Sequence, residues 1–68
     1  MLVRRDDRGL SMRELEVIDS LLRGLTAHEV AASMCLSFHT VRTHIRNVYQ
    51  KVGVSNRIEL LRWREGEN

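Results

Sequence analysis

The sequence predicts an all-α fold of four short helices, and three observations carry that expectation. Ser11, Thr26, Ser37 and Asn56 each stand at a plausible helix start, and Glu14, Glu29 and Glu59 follow three of them at capping-box spacing. Between these starts the apolar residues recur every three or four positions, as one face of a helix requires. No stretch alternates with period two for long enough to form a strand, and the chain has no proline to interrupt a helix.

Each element can be justified in order. Residues 1–9 are charged, aperiodic and closed by Gly9, and are expected to form a loose arm or linker remnant. The domain proper is placed at residues 10–65 and a frayed tail at 66–68. Helix 1 opens at the Ser11–Glu14 box, carries Leu15, Ile18, Leu21 and Leu22 on one side, and stops at Gly24. Helix 2 starts at the Thr26–Glu29 box and turns Val30, Ala31 and Met34 inward. Helix 3, residues 38–52, is capped by Ser37 and ended by Gly53. Its Val41, Ile45, Val48 and Val52 form one apolar stripe. Helix 4 follows the Asn56–Glu59 pair and runs to Arg64.

Composition narrows the functional classes. Sixty-eight residues make one domain, burying roughly 60% of the surface exposed by the unfolded chain. At 43% hydrophobic the chain is globular rather than disordered. One cysteine excludes an internal disulfide, which favours a reducing, cytoplasmic setting. The apolar runs are too short for a membrane span or a signal-peptide core. His28, His39 and His44 lack an i, i+4 pair and Cys35 lacks a C-x-x-C partner, so no metal site is expected. No cofactor and no catalytic residues are expected either: the candidate nucleophiles are capping residues, and no carboxylate pair faces a pocket.

The join between helices 2 and 3 is informative. A helix-turn-helix needs a small residue where its helices cross, a tight turn four residues later, and a buried β-branched residue where the second helix docks. Ala31, Leu36 and Val41 fit the crossing, the plug of the turn and the docking position. Position 35 in many such motifs is Gly; here Cys35 stands there, expected as a small apolar filler, and the turn must form without a residue that favours positive φ.

Charge is distributed unevenly. Residues 30–58 hold four basic residues (Arg42, Arg46, Lys51 and Arg57) and no Asp or Glu, whereas the rest of the chain has seven basic and nine acidic residues. Solvated helix faces usually mix signs to gain i, i+4 pairs. A face that meets phosphates excludes carboxylates instead, and arginine can fork onto guanine O6 and N7.

These motifs carry a family resemblance: Leu10-Ser11-x-Arg13-Glu14-x-Glu16-Val17; Gly24-Leu25-Thr26-x-x-Glu29-Val30-Ala31; Leu36-Ser37-x-x-Thr40-Val41-Arg42-x-His44; and Lys51-Val52-Gly53-Val54-x-x-Arg57-x-Glu59. In that order the chain resembles the LuxR-type helix-turn-helix domain of bacterial transcription regulators over residues 10–63. The resemblance implies a four-helix domain that binds double-stranded DNA, with its third helix in the major groove and its fourth often pairing two subunits. RNA polymerase is a second candidate partner. Positions 28 and 39, where relatives often carry Lys or Arg, are His28 and His39.

Geometry and resemblance together assign roles. Arg42, Thr43, Arg46 and Asn47 are expected to meet base edges. Thr26, Ser37, Thr40, His44, Lys51 and Arg57 are expected to hold phosphates, the first three lying at or near helix N-termini. Pure capping is the alternative for Thr26 and Ser37, and pairing with Glu29 or Glu59 the alternative for Arg57. On helix 4, Ile58 and Leu61 are assigned to packing on helix 1. Leu60 and Trp63 are left as an outward pair for a homodimer on a quasi-palindromic site, unless Trp63 folds back over the core edge. Two rivals stand beside this. A helical adaptor would show exposed aromatic or Leu anchors on helix 3, and none is expected at positions 42, 43, 46, 47 or 50. The helix-turn-helix of sigma factors shares much of the pattern, but Lys51-Val52-Gly53-Val54 followed by another helix favours the LuxR-type resemblance.

Overall fold

A computed structural model describes residues 9–66. Most of the proposed arm, residues 1–8, and the last two tail residues lie outside that range. Among the described residues there are four helices and no strand: α1 (Met12–Leu22), α2 (Ala27–Met34), α3 (Phe38–Val52) and α4 (Arg57–Arg64). Their starts follow the capping chemistry. Ser11 and Thr26 sit in extended backbone, and each closes a reciprocal box with the Glu three residues on. At α4 the exchange is shared: Asn56 Oδ1 accepts from the Glu59 amide, while the Glu59 carboxylate accepts from the Ser55 amide at 2.7 Å.

The helices stop where a left-handed residue lets the chain fold back. After α1, Gly24 at φ 93° allows the Gly24 and Leu25 amides to reach the Leu21 and Ser20 carbonyls, a Schellman ending. After α2 the same turn is made at Cys35, with φ 58° and ψ 40°, and the Leu36 amide reaches the Ala31 carbonyl at 2.9 Å. Cys35 is the only described non-glycine residue with positive φ, a conformation that costs an L-residue roughly 1–2 kcal/mol. Its thiol is exposed, so Cys35 is not the apolar filler expected from the sequence. The tight turn tips its side chain outward, and Leu36 packs on the core instead.

α3 packs across α1 and α2, and α4 leans on α1 and α3. The expected crossing holds: Ala31 and Val41 are both buried, Val41 completely. Val17, Ile18, Leu21, Val30, Val48 and Leu60 complete the sealed centre, each fully buried aliphatic contributing about 1.5–3 kcal/mol.

The face of α4 is a correction. Leu60 is fully buried and Trp63 is half-buried against the core, whereas Ile58 is 67% exposed and Leu61 43% exposed. The two i, i+3 pairs have exchanged places relative to the sequence expectation. The physical reason is area: turning Leu60 and the indole inward removes more apolar surface from water than burying Ile58 and Leu61. Ile58 and Leu61 border a shallow apolar hollow of about 240 Å³ with Leu21 and Leu22 of α1.

Candidate nucleic-acid interface

The buried stripe of α3 fixes what the helix shows to solvent. With Val41, Val48 and Val52 sealed in the core, Arg42, Thr43, Arg46 and Gln50 are exposed on the far side and Asn47 is half-buried at its margin. Neither Arg42 nor Arg46 is in an ion pair among the described residues, and α3 itself carries no acidic residue. The Thr43 hydroxyl donates to the His39 carbonyl at 3.2 Å. That leaves the Thr43 oxygen able to accept a further hydrogen bond. Fifteen residues of helix span about 22 Å, and the width of a helix suits the major groove.

The N-terminus of α3 differs from the others. The Ser37 hydroxyl accepts from the Thr40 amide at 3.0 Å and donates to Thr40 Oγ1 at 2.9 Å. The Thr40 proton is then free to donate outward. No acid lies in the first turn of α3, whereas Glu14, Glu29 and Glu59 occupy the first turns of the other three helices. Thr26 also keeps a free hydroxyl proton, but the Glu29 carboxylate already accepts from its amide at 2.8 Å, and that negative charge competes with any phosphate there. Arg57 is exposed and pairs with neither Glu29 nor Glu59, whose carboxylates are engaged by the Thr26 and Ser55 amides. His44 is half-buried on the flank of α3.

Lys51 is occupied elsewhere. Its ammonium contacts both oxygens of Glu14 at 2.8 and 3.1 Å and the Gly9 carbonyl at 3.4 Å. Three acceptors meet its three protons, so the free phosphate clamp expected from the sequence is a structural tie between α3 and α1. Glu14 is only 5% exposed. Burial pushes its carboxyl up, but hydrogen bonds from Lys51 and the Ser11 amide, with the Lys51 charge, outweigh it and hold the group below its ordinary value. Spacing alone could not pair positions 14 and 51.

A second arrangement also escaped the sequence. The ring of Phe38, the first residue of α3, stacks on His28 of α2 with centroids 3.8 Å apart and planes 7° from parallel. The Arg42 guanidinium lies over the same Phe38 ring, 5.8 Å from its centre. The exposed Phe38 is thus tied to the first basic side chain of α3. Among the described residues no group of acids, His and Cys is placed to hold a metal ion, and no helix is long and apolar enough to cross a membrane.

Compared with known proteins, residues 8–64 match the family described as bacterial regulatory proteins, luxR family. The chain belongs to the luxR family. It is 44% identical over 62 residues to the spore germination protein GerE of Bacillus subtilis (strain 168), covering 85% of this chain and 84% of that protein. It is 43% identical over 53 residues to the transcriptional regulatory protein UhpA of Escherichia coli (strain K12), covering 78% of this chain and 27% of UhpA. Identity is 37% over 54 residues to the CsgBAC operon transcriptional regulatory protein of the same strain, covering 79% of this chain and 25% of that regulator. The luxR-family chain therefore spans about a quarter of the two longer regulators and most of GerE. No solved structure matches it closely. As a luxR-family domain it is a DNA-binding domain of the transcription-regulator type, and the family is not a class of enzymes.

Proposed function

We propose that this luxR-family domain binds double-stranded DNA sequence-specifically by laying α3 in the major groove. The observation that carries it is the outer face of α3: Arg42 and Arg46 exposed and unpaired among the described residues, on a helix without an acidic residue and turned away from its sealed Val stripe. Arg42, Thr43, Arg46 and Asn47 read base edges. Ser37 and Thr40, with the free amides of the first turn of α3, hold a backbone phosphate; Thr26, His44 and Arg57 add contacts at the edges. Two subunits pair through α4, which sets their α3 helices about one DNA turn apart on a quasi-palindromic site. Ile58 and Leu61 are the contact residues, because they are the apolar side chains that α4 leaves in water. The patch is small, so pairing occurs mainly on DNA.

The test is a salt titration of binding to a duplex selected from a random library, compared with random duplex. About five neutralised phosphates per subunit give a log–log slope of roughly −4 to −5. Arg42→Ala and Arg46→Ala should each cost about 1–3 kcal/mol on the selected duplex and less on random duplex, with the fold intact. A slope near zero refutes DNA binding, and equal losses on both duplexes demote the two arginines to phosphate contacts.

A further inference from the structure

Phe38 lies outside the apolar core. It is 37% exposed, yet its ring is held on two sides of the helix-turn-helix. His28 stacks on it from α2 at 3.8 Å, and Arg42 reaches over it from the next turn of α3 at 5.8 Å. That distance is within the range in which an aromatic ring attracts a guanidinium. Phe38 and Arg42 also line, with Arg46 and Gln50, an open groove of about 450 Å³. The ring therefore lies beside the base-reading face and is anchored from outside it.

An arginine free in water samples many rotamers, and fixing it on a base edge costs ordering entropy. A surface that already holds the guanidinium reduces that cost. We infer that Phe38, backed by His28, is a positioning residue: a flat platform that pre-sets Arg42 for the base it reads, and so sharpens specificity. This rests on the proposal that Arg42 meets a base edge. A lysine at position 28 has no planar face to stack, so His28 supports the platform in a way a cation on a flexible stem cannot.

The experiment is a double-mutant cycle on the full chain, read by fluorescence anisotropy on the selected duplex and on random duplex. Thermal melts of every variant establish that it folds. Phe38→Leu keeps apolar bulk but removes the ring. It should weaken the selected duplex about two- to fivefold, leave random duplex unchanged, and have no further effect in an Arg42→Ala background. Phe38→Tyr, which keeps the ring, should restore the parent affinity. His28→Ala should give a smaller loss that also vanishes without Arg42, and it supplies the same cycle if Phe38→Leu does not fold. A library selection repeated with Phe38→Leu should relax preference at the base read by Arg42 and nowhere else. Losses that persist undiminished in the Arg42→Ala background would mean that Phe38 touches DNA itself and would overturn the positioning role. So would losses equal on both duplexes, or no loss. If Arg42→Ala alone costs nothing on the selected duplex, base reading by Arg42 is refuted directly and its platform with it.

Discussion

α1 and α3 begin alike and use their first turns in opposite ways. Each is preceded by a serine in extended backbone whose hydroxyl accepts from the amide three residues on. In α1 that third residue is Glu14, whose carboxylate returns to the Ser11 amide at 3.0 Å and is locked by Lys51. In α3 it is Thr40, which returns no charge. An acid in the first turn satisfies the helix dipole internally and stabilises the helix. A hydroxyl leaves the dipole and the remaining amides open to an anion from outside. One carboxylate separates a structural helix start from a candidate phosphate seat.

The largest expected effect comes from erasing that difference. Thr40→Glu closes the box at α3, so its melting temperature should hold or rise slightly. Its affinity for duplex DNA should fall about ten- to a hundredfold, the range of one lost charge-assisted contact. Unchanged affinity would mean that no phosphate sits at this helix end.

Opening the α1 side should cost stability rather than binding. Lys51→Ala leaves the buried Glu14 carboxylate without its cation, and urea unfolding should show a loss of about 1–3 kcal/mol. DNA affinity of the folded protein should stay within about twofold of the parent. A salt slope shallower by about one would instead show Lys51 on a phosphate.

The same pair should also be visible as pH dependence. The Glu14 carboxyl is held below its ordinary value of 4.5 in the folded state. Its contribution is therefore complete above that value and is lost as the pH falls through the folded-state value. The urea midpoint of the parent should drop as the pH is taken below 4.5, and that of Glu14→Gln should drop less. Parallel curves would show that the pair does not govern acid sensitivity.

The smallest effect is expected at the turn between α2 and α3. Cys35→Gly relieves a left-handed side chain but loosens the unfolded chain, for a net gain of about 0.5–1 kcal/mol with DNA binding unaltered. A lower melting temperature would show that the Cys35 side chain stabilises the turn.

What was legible in the sequence follows the range of each interaction. Caps act over three residues, so Ser11, Thr26, Ser37 and Asn56 could be read directly, and with them all four helix starts. The stripe of α3 repeats over four turns and fixes both its core and its outer face. α4 is only eight residues long, and with Ile58, Leu60, Leu61 and Trp63 spread around it, spacing cannot choose the inward pair. Packing area made that choice. The Glu14–Lys51 tie and the His28–Phe38 stack join residues brought together only by the fold, and their sequence signal is a capping acid, a basic residue and two unremarkable aromatics. The same limit hides the role of Lys51, which on its own helix is simply another exposed cation.

The capping bonds of Ser11, Thr26, Ser37 and Asn56 join positions three apart, whereas those of Lys51 span 37 and 42 residues. Bonds of the first kind can form as soon as each helix does, on the sub-microsecond to microsecond scale. The Lys51 bonds wait until α1 and α3 have met in register. Such a late contact contributes little to the rate-limiting barrier and much to how long the finished structure survives. Lys51 is therefore a latch on lifetime: its removal should leave the refolding limb of a chevron nearly in place and raise the unfolding limb, so that the domain folds as fast as before and opens sooner.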